Sequence, residues 1–402
     1  MSTRKKARKK STSGKAKRSV AKRTPKAKTK VKRNPMAEYA ATMQKQGVAR
    51  VAYLSNDDTI TNIRGRVSTG SIALDKALSN EMEPKGWAGI PLGRVTEIYG
   101  PPFVGKSTLL DSIFASVQRI GGIAVLADTE VSRDRSYTGR LGVDLEALNY
   151  LEFEGGDAYI ENVIRAFIHS IEWWKTNYPD LPVVLGWDAL GSTATSDEWS
   201  KGEEFGAKAT QPGNAARAMN AASRQLPPRL AGTKIGLVIV NHEYVVIRTG
   251  FAARFGPKNE TYGGSGVRHL DSLRIKLYSL GQSLKTSEGQ IFGRVIGARL
   301  TKNRLGDPNQ EIEVPILDGL GVSNIYTLLS DLKNRKVIVT AGGWSSVNID
   351  GEVLKFQGWA GLREKCLADP TLYPRLLNVW EQGVNNANVS VSVSEVQSMC
   401  GA

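Results

Sequence analysis

Nine residues, Gly100-Pro101-Pro102-Phe103-Val104-Gly105-Lys106-Ser107-Thr108, constrain this chain more than any other stretch. A glycine, four residues and then Gly-Lys-Ser/Thr is the spacing of a loop whose backbone N–H groups cradle phosphates. The flanks separate that reading from a glycine-rich turn before an ordinary core helix. Val95-Thr96-Glu97-Ile98-Tyr99 reads as a short strand running into Gly100. Leu109, Leu110, Ile113, Phe114 and Val117 recur at helical spacing and predict one apolar helix face. Strand, loop and helix together put unpaired N–H groups and the positive end of the helix dipole against an anion. In such a loop Lys106 reaches the β and γ phosphates and the Ser107 hydroxyl helps to hold Mg²⁺, which predicts ATP-type nucleotide binding.

The rest of the chain alternates in kind. Ile123–Ala127 is a continuous apolar run ending in Asp128-Thr129-Glu130. A helix beginning near Asp157 turns Ile160, Val163, Ile164, Phe167, Ile168 and Ile171 to one side. Val183–Trp187 is a second buried strand ending at Asp188, and polar residues 191–213 read as a loop. A helix with Arg217, Met219 and Arg224 follows, then a strand over Ile235–Val240 ending in Asn241-His242. Strands alternating with helices predict a mostly parallel sheet whose carboxyl edge carries the ligands. Residues 243–266 read as a long functional loop, glycine-bearing, basic and aromatic. Alternation at 273–277, 292–300 and 312–316 predicts strands extending one edge, antiparallel there. From about Gly319 helical spacing, a Gly342-Gly343 turn and a polar hairpin predict a small α+β C-terminal domain.

The formal net charge of +15 belongs to one segment. Residues 1–33 hold 16 of the 54 Lys and Arg and no Asp or Glu, so the remaining 38 basic residues face 39 acidic ones. Such a segment cannot bury enough apolar surface to fold alone. It fits a nucleic-acid arm, a targeting signal or a solubilising tail, and its charge density favours the arm. No apolar stretch follows it, which excludes a secretory signal, and no apolar run approaches a membrane span. Cys366 and Cys400 stand far apart without CxxC spacing, pointing to neither zinc nor a disulfide framework and toward a reduced cytoplasmic protein.

Taken together, residues 36–384 resemble a RecA-family recombinase of the bacterial or bacteriophage type. Besides the phosphate loop, the resemblance rests on Val67-Ser68-Thr69-Gly70-Ser71 with Leu74-Asp75, on Asp128-Thr129-Glu130, and on Asp134-Arg135-Ser136-Tyr137 with Leu141-Gly142-Val143-Asp144. It continues through Tyr262-Gly263-Gly264, Lys302-Asn303-Arg304 and Gly342-Gly343-Trp344 with Gly351-Glu352. It implies a RecA-like ATPase core at 67–318 preceded by a subunit-packing segment (35–66), with the basic tail (1–34) ahead of them. A C-terminal domain (319–384) and a further tail (385–402) would follow.

The resemblance also implies roles. Glu130 would orient or deprotonate the attacking water, Asp188 would bind the water shell of Mg²⁺, Tyr137 would stack on adenine and Asp134 would lie near its amino group. Lys302 and Arg304 would reach the ATP of a neighbouring subunit. Two DNA loops, about 191–213 and 243–266, would line a filament axis. Arg217, Arg224, Arg248 and Arg254 would contact phosphates there, and Ile247 would enter between bases. His242 stands where the family usually has a γ-phosphate-sensing Gln. The basic tail is additional, and Pro102-Phe103-Val104 replaces small polar residues. The expected activity is that of a DNA-dependent ATPase that forms a helical filament on single-stranded DNA and exchanges strands with a duplex. A RecA-fold DNA-binding ATPase without strand exchange is the alternative, and a hexameric helicase is further off.

Overall fold

The computed structural model describes residues 34–52, 54, 59–78, 82–83, 86–87, 89–153, 157–200, 213–245, 259–286 and 288–385. The basic segment 1–33, Ile247, Arg248, Arg254, Cys400 and most of the two expected DNA loops lie outside them. By contacts the chain divides into residues 1–56 and 57–402. In the first unit, helix α1 (Pro35–Lys45) starts at a proline, and the Asn34 side chain caps it by accepting from the Met36 N–H at 3.1 Å. Among the described residues it buries none of its own.

The second unit opens with a fixed turn. Asp75, on α2 (Ile72–Leu78), accepts from the Thr69 N–H and hydroxyl at 2.7 and 2.6 Å and from the Ser68 hydroxyl. Burial pushes its carboxyl up to about 6 despite these bonds. The first core strand is β1 (Val95–Gly100), followed by α3 (Lys106–Arg119), β2 (Ile123–Asp128), α4 (Arg135–Arg140) and β3 (Leu148–Tyr150). Next come α5 (Ile160–Asn177), β4 (Val183–Asp188), α6 (Ser196–Ser200), α7 (Asn214–Leu230) and β5 (Ile235–Val245). The edge is built from β6 (Asn259–Thr261), α8 (Gly264–Leu270), β7 (Leu273–Lys285), β8 (Ile291–Asn303), β9 (Glu311–Leu317) and β10 (Gly321–Val322).

Among the described residues these strands form one ten-stranded sheet in the order β10-β9-β8-β7-β1-β5-β4-β2-β3, with β6 on β5. The six strands from β7 to β3 run parallel. The edge from β8 to β10 is antiparallel, as the alternating pattern predicts. The chain is therefore α/β with a mostly parallel core.

One expectation was exceeded and two needed correction. Helix α3 buries its expected apolar face and more besides: Lys106, Thr108, Asp111, Ser112 and Ser116 are buried too, because sheet and neighbouring loops enclose the helix. Strand β5 continues through His242 to Val245, since Glu243–Val245 pair with β6, so 243–266 is not one loop. The polar stretch after Asp188 carries α6, with Thr195 and the Glu198 carboxylate closing its first turn.

The last segment has its own core. Helices α9 (Asn324–Asn334), α10 (Gly358–Ala368) and α11 (Leu372–Asn385) pack with a three-stranded meander, β11 (Val339–Ala341), β12 (Trp344–Ile349) and β13 (Glu352–Phe356). Leu328, Leu332, Val347, Phe356, Leu362, Leu376 and Trp380 fill its interior. Ile72 joins that cluster, and Trp359 stacks on Phe292 with ring centroids 4.9 Å apart, so it abuts the β8 side of the sheet.

Candidate functional site

The register of the parallel strands brings four chain segments to one edge. Gly100 pairs with His242, and Asp128 pairs with Asp188, at the carboxyl ends of β1, β5, β2 and β4. The phosphate loop leaves β1 at this edge. Gly100 passes so close to the Leu277 carbonyl that a Cβ would stand 2.2 Å from it, and a Cβ on Gly105 would meet Ile316 Cδ1 at 2.7 Å. Only glycine fits either position. Between them Phe103 holds φ +61° and points outward, 93% exposed, while Val104 is buried. A non-glycine residue in that region costs about 1–3 kcal/mol. The loop is anchored by α3, where Leu109, Leu110, Ile113, Phe114 and Val117 each bury to 1% or less. At roughly 2 kcal/mol per buried side chain, that burial outweighs the strain several-fold.

Lys106 folds back into the loop, donating to the Pro101 carbonyl at 2.8 Å and the Gly100 carbonyl at 3.2 Å. Burial lowers its pKa, and the charges of Glu130 and Asp188 partly oppose that. Ser107 and Thr108 open α3, whose first N–H groups have no partner within the helix. Gly100 through Thr108 thus form a tight, glycine-bounded loop that runs into the first turn of α3.

Glu130, just past β2, reaches across β4 to β5. Its Oε1 lies 2.6 Å from His242 Nε2 and accepts from the Ser192 hydroxyl at 2.7 Å, and Ser192 and His242 are themselves 3.0 Å apart. Gly191 makes room, since a Cβ there would meet the His242 ring at 2.5 Å. Burial alone would raise the Glu130 carboxyl, but the Ser192 and His242 contacts outweigh it and hold it below its ordinary value. From His242 a polar chain runs inward. The His242 N–H donates to Asn241 Oδ1 at 2.8 Å, Asn241 donates to the fully buried Glu97 at 2.8 Å, and Glu97 pairs with Arg274.

Asp188 is buried, and its Oδ1 has no hydrogen-bond partner among the described residues. Its Oδ2 accepts from Arg133 at 2.8 Å, and the same guanidinium pairs with Asp111 on α3. Mg²⁺ keeps several waters and takes one or two carboxylates beside phosphate oxygens. One buried, unpaired oxygen on Asp188, within the field of Lys106 at the start of α3, fits that demand. No group of three or more His, Cys, Asp or Glu able to hold a metal occurs among the described residues. Asp134 caps α4 by accepting from the Tyr137 N–H at 2.7 Å, and Arg140 lies over the Tyr137 ring at 5.7 Å.

The remaining sequence-predicted residues lie elsewhere. Arg217 and Arg224 are exposed and seven residues apart on α7, hence on one side of it, away from the buried Met219, Ala222 and Leu226. Lys302 and Arg304 close β8. Lys302 pairs across the sheet with Arg274, near the start of β7, at the opposite edge from the phosphate loop. The Lys302 ammonium donates to the Arg268 carbonyl at 2.5 Å, and burial lowers its pKa, with the Arg304 charge adding to the effect. Sequence reasoning missed Ser192, Arg133 and Asp111. Their sole trace in sequence is a charged or polar residue within a turn of a strand end or of the phosphate loop.

Among the described residues no helix is long and apolar enough to cross a membrane. A sequence model of the RecA N-terminal domain matches residues 39–323. The chain is 30% identical to the protein RecA of Brucella suis over 302 residues, 75% of this chain and 76% of the relative. It is 31% identical to the protein RecA of Aquifex pyrophilus over 306 residues, 76% of this chain and 79% of that one. With the family match running from α1 to the end of the ten-stranded sheet, and with relatives aligned along three quarters of their own length, the chain belongs to the RecA family.

Proposed function

We propose that this chain is an ATP-dependent homologous recombination protein, a DNA-dependent ATPase that assembles as a helical filament on single-stranded DNA and pairs it with a homologous duplex. The observation that supports this most is the contact between Glu130 and His242. It ties a carboxylate beside the phosphate loop to the strand that leads directly into the second expected DNA loop. On this reading the cradle from Gly100 to Thr108 holds the triphosphate, Lys106 neutralises it, and Tyr137 and Asp134 border the adenine. Glu130 orients and deprotonates the attacking water, and His242 senses the γ-phosphate. Bound Mg²⁺, held through Ser107 and Asp188, would neutralise charge on the phosphates.

Lys302 and Arg304 act on the nucleotide of an adjoining copy, in a head-to-tail contact that generates an open helix. Arg217, Arg224, Arg248 and Arg254 bind the DNA backbone, Ile247 enters between bases, and pairing itself tests the sequence. The division into tail, packing segment, core at 67–318 and C-terminal domain at 319–384 follows, as does a cytoplasmic, DNA-associated location. The test is ATP turnover with and without single-stranded DNA, alongside joint-molecule formation with a homologous duplex. DNA-stimulated turnover with joint molecules is expected. Turnover indifferent to DNA would overturn the reading, and stimulation without joint molecules would leave a DNA-binding ATPase that does not exchange strands.

A further inference from the structure

Arg133 has no part in the chemistry proposed above, yet it is placed at the centre of the site. It lies three residues beyond Glu130 on the segment leaving β2, and its side chain is turned inward and only 11% exposed. One terminal nitrogen meets Asp111, the other donates to Asp188 Oδ2 at 2.8 Å, and its Nε finds no hydrogen-bond partner among the described residues. Asp111 follows Ser107 by one helical turn on α3, on the same side of the helix. Asp128 lies close enough to contribute to the field at Arg133. A cation is thus clamped between a carboxylate below the phosphate loop and the strand-end carboxylate, while the other oxygen of that strand-end carboxylate is buried and has no hydrogen-bond partner among the described residues.

We propose that Arg133 is a positioning residue that tunes the divalent-cation affinity of Asp188. Its guanidinium fills Oδ2 and neutralises Asp111, so the protein offers a cation one carboxylate oxygen and little net charge. Binding then depends on phosphate oxygens, and the cation enters with nucleotide rather than before it. Arginine suits this position because its planar fork can serve two carboxylates at once, which an ammonium cannot do in the same geometry. Without it, Asp111 and Asp188 would be two buried like charges, and a pair of that kind attracts a divalent cation directly. The inference rests on the assignment of Asp188 to the metal.

The experiment uses the full chain and Mn²⁺ alone as the probe, followed by electron paramagnetic resonance without nucleotide. Arg133→Leu should gain a Mn²⁺ site that the unaltered protein lacks, and adding Asp111→Leu should remove it. Because Arg133→Leu risks misfolding, the charge-neutral pair Asp111→Leu/Arg133→Leu supplies a second measurement, the Mg²⁺ half-saturation of fluorescent-ATP binding. Freeing Oδ2 should lower that concentration roughly fivefold, the scale of one altered charge contact in a partly screened site. Asp188→Asn separates the two ideas. If it leaves the Mg²⁺ dependence unchanged, the metal assignment itself falls. If it shifts that dependence while the double variant titrates like the unaltered protein and folded Arg133→Leu binds no Mn²⁺, Arg133 only packs α3 against β4 and the proposal is overturned.

Discussion

At the carboxyl edge of the sheet, Lys106, Glu130, Asp188 and His242 come from four segments and converge. Each has an opposite charge or a hydrogen bond from a different strand. At the other edge, Lys302 lies at the end of β8 with Arg304 just beyond it, and burial lowers the Lys302 pKa with the Arg304 charge adding to the effect. The first arrangement is the one proposed to bind nucleotide. The second is a pair of cations held apart from any phosphate that its own loop could carry. Between them runs the interior chain of His242, Asn241, Glu97 and Arg274, which ends directly across the sheet from Lys302. The contrast suggests a division of labour: one edge binds nucleotide, the other completes hydrolysis on an adjoining copy.

The largest break in that comparison should come from Lys302→Ala/Arg304→Ala. If the pair acts as fingers in trans, turnover should fall by about 10³-fold, the low end for such residues, with ATP and DNA binding retained. Lost nucleotide binding in a filter assay would place these residues in the chain's own site instead.

Glu130→Gln should cost about 10²- to 10³-fold in turnover, the lower part of the range for a general base, while still binding ATP, whereas Lys106→Ala should lose both. Turnover of Glu130→Gln at the unaltered rate would remove Glu130 from the chemistry. The lowered Glu130 pKa fixes the sign of the pH dependence. The group stays deprotonated above the ordinary carboxylate range and loses competence only as pH falls below it. Ser192→Ala removes a lowering contact and should move that acid limb upward, visible in a pH–rate profile.

His242→Ala should have a smaller effect, roughly tenfold on DNA-stimulated turnover, the scale of one lost hydrogen bond to a charged group. Its distinguishing mark is that basal turnover without DNA should change less than stimulated turnover. An equal loss in both would confine His242 to the site and remove it from the link between the loops.

The smallest effect on turnover is expected from deleting residues 1–33, whose 16 positive charges contrast with a nearly balanced remainder. Hydrolysis on short single strands should be unchanged. Duplex binding should weaken and its salt dependence flatten, by about 0.9 in the log–log slope per lost phosphate contact. Superimposable binding curves would leave the segment as an address or a solubiliser.

Continuous apolar runs and the glycine-bounded loop made β1, β2, β4, α3 and the antiparallel edge legible from sequence, because burial on both faces and period-two alternation are local properties. The end of β5 was not, since Glu243–Val245 become strand only by pairing with residues 259–261. Helix α7 runs through Pro227 and Pro228 to Leu230, with its own Leu226 and Leu230 buried. In the site, strand-end carboxylates could be read from what precedes them. The meeting of Ser192 with Glu130, and of Arg133 with Asp111 and Asp188, depends on which strands are neighbours, and no local pattern carries that.

The claim that one edge binds and the other completes is tested most directly by mixing two variants, each inactive by itself. Lys106→Ala subunits keep their fingers, and Lys302→Ala/Arg304→Ala subunits keep their nucleotide site. Co-assembled on single-stranded DNA, they should regain ATP turnover at junctions where an intact site meets intact fingers, with a maximum at intermediate ratios. Turnover that stays at the sum of the two separate variants at every ratio, with co-assembly verified, would contradict it.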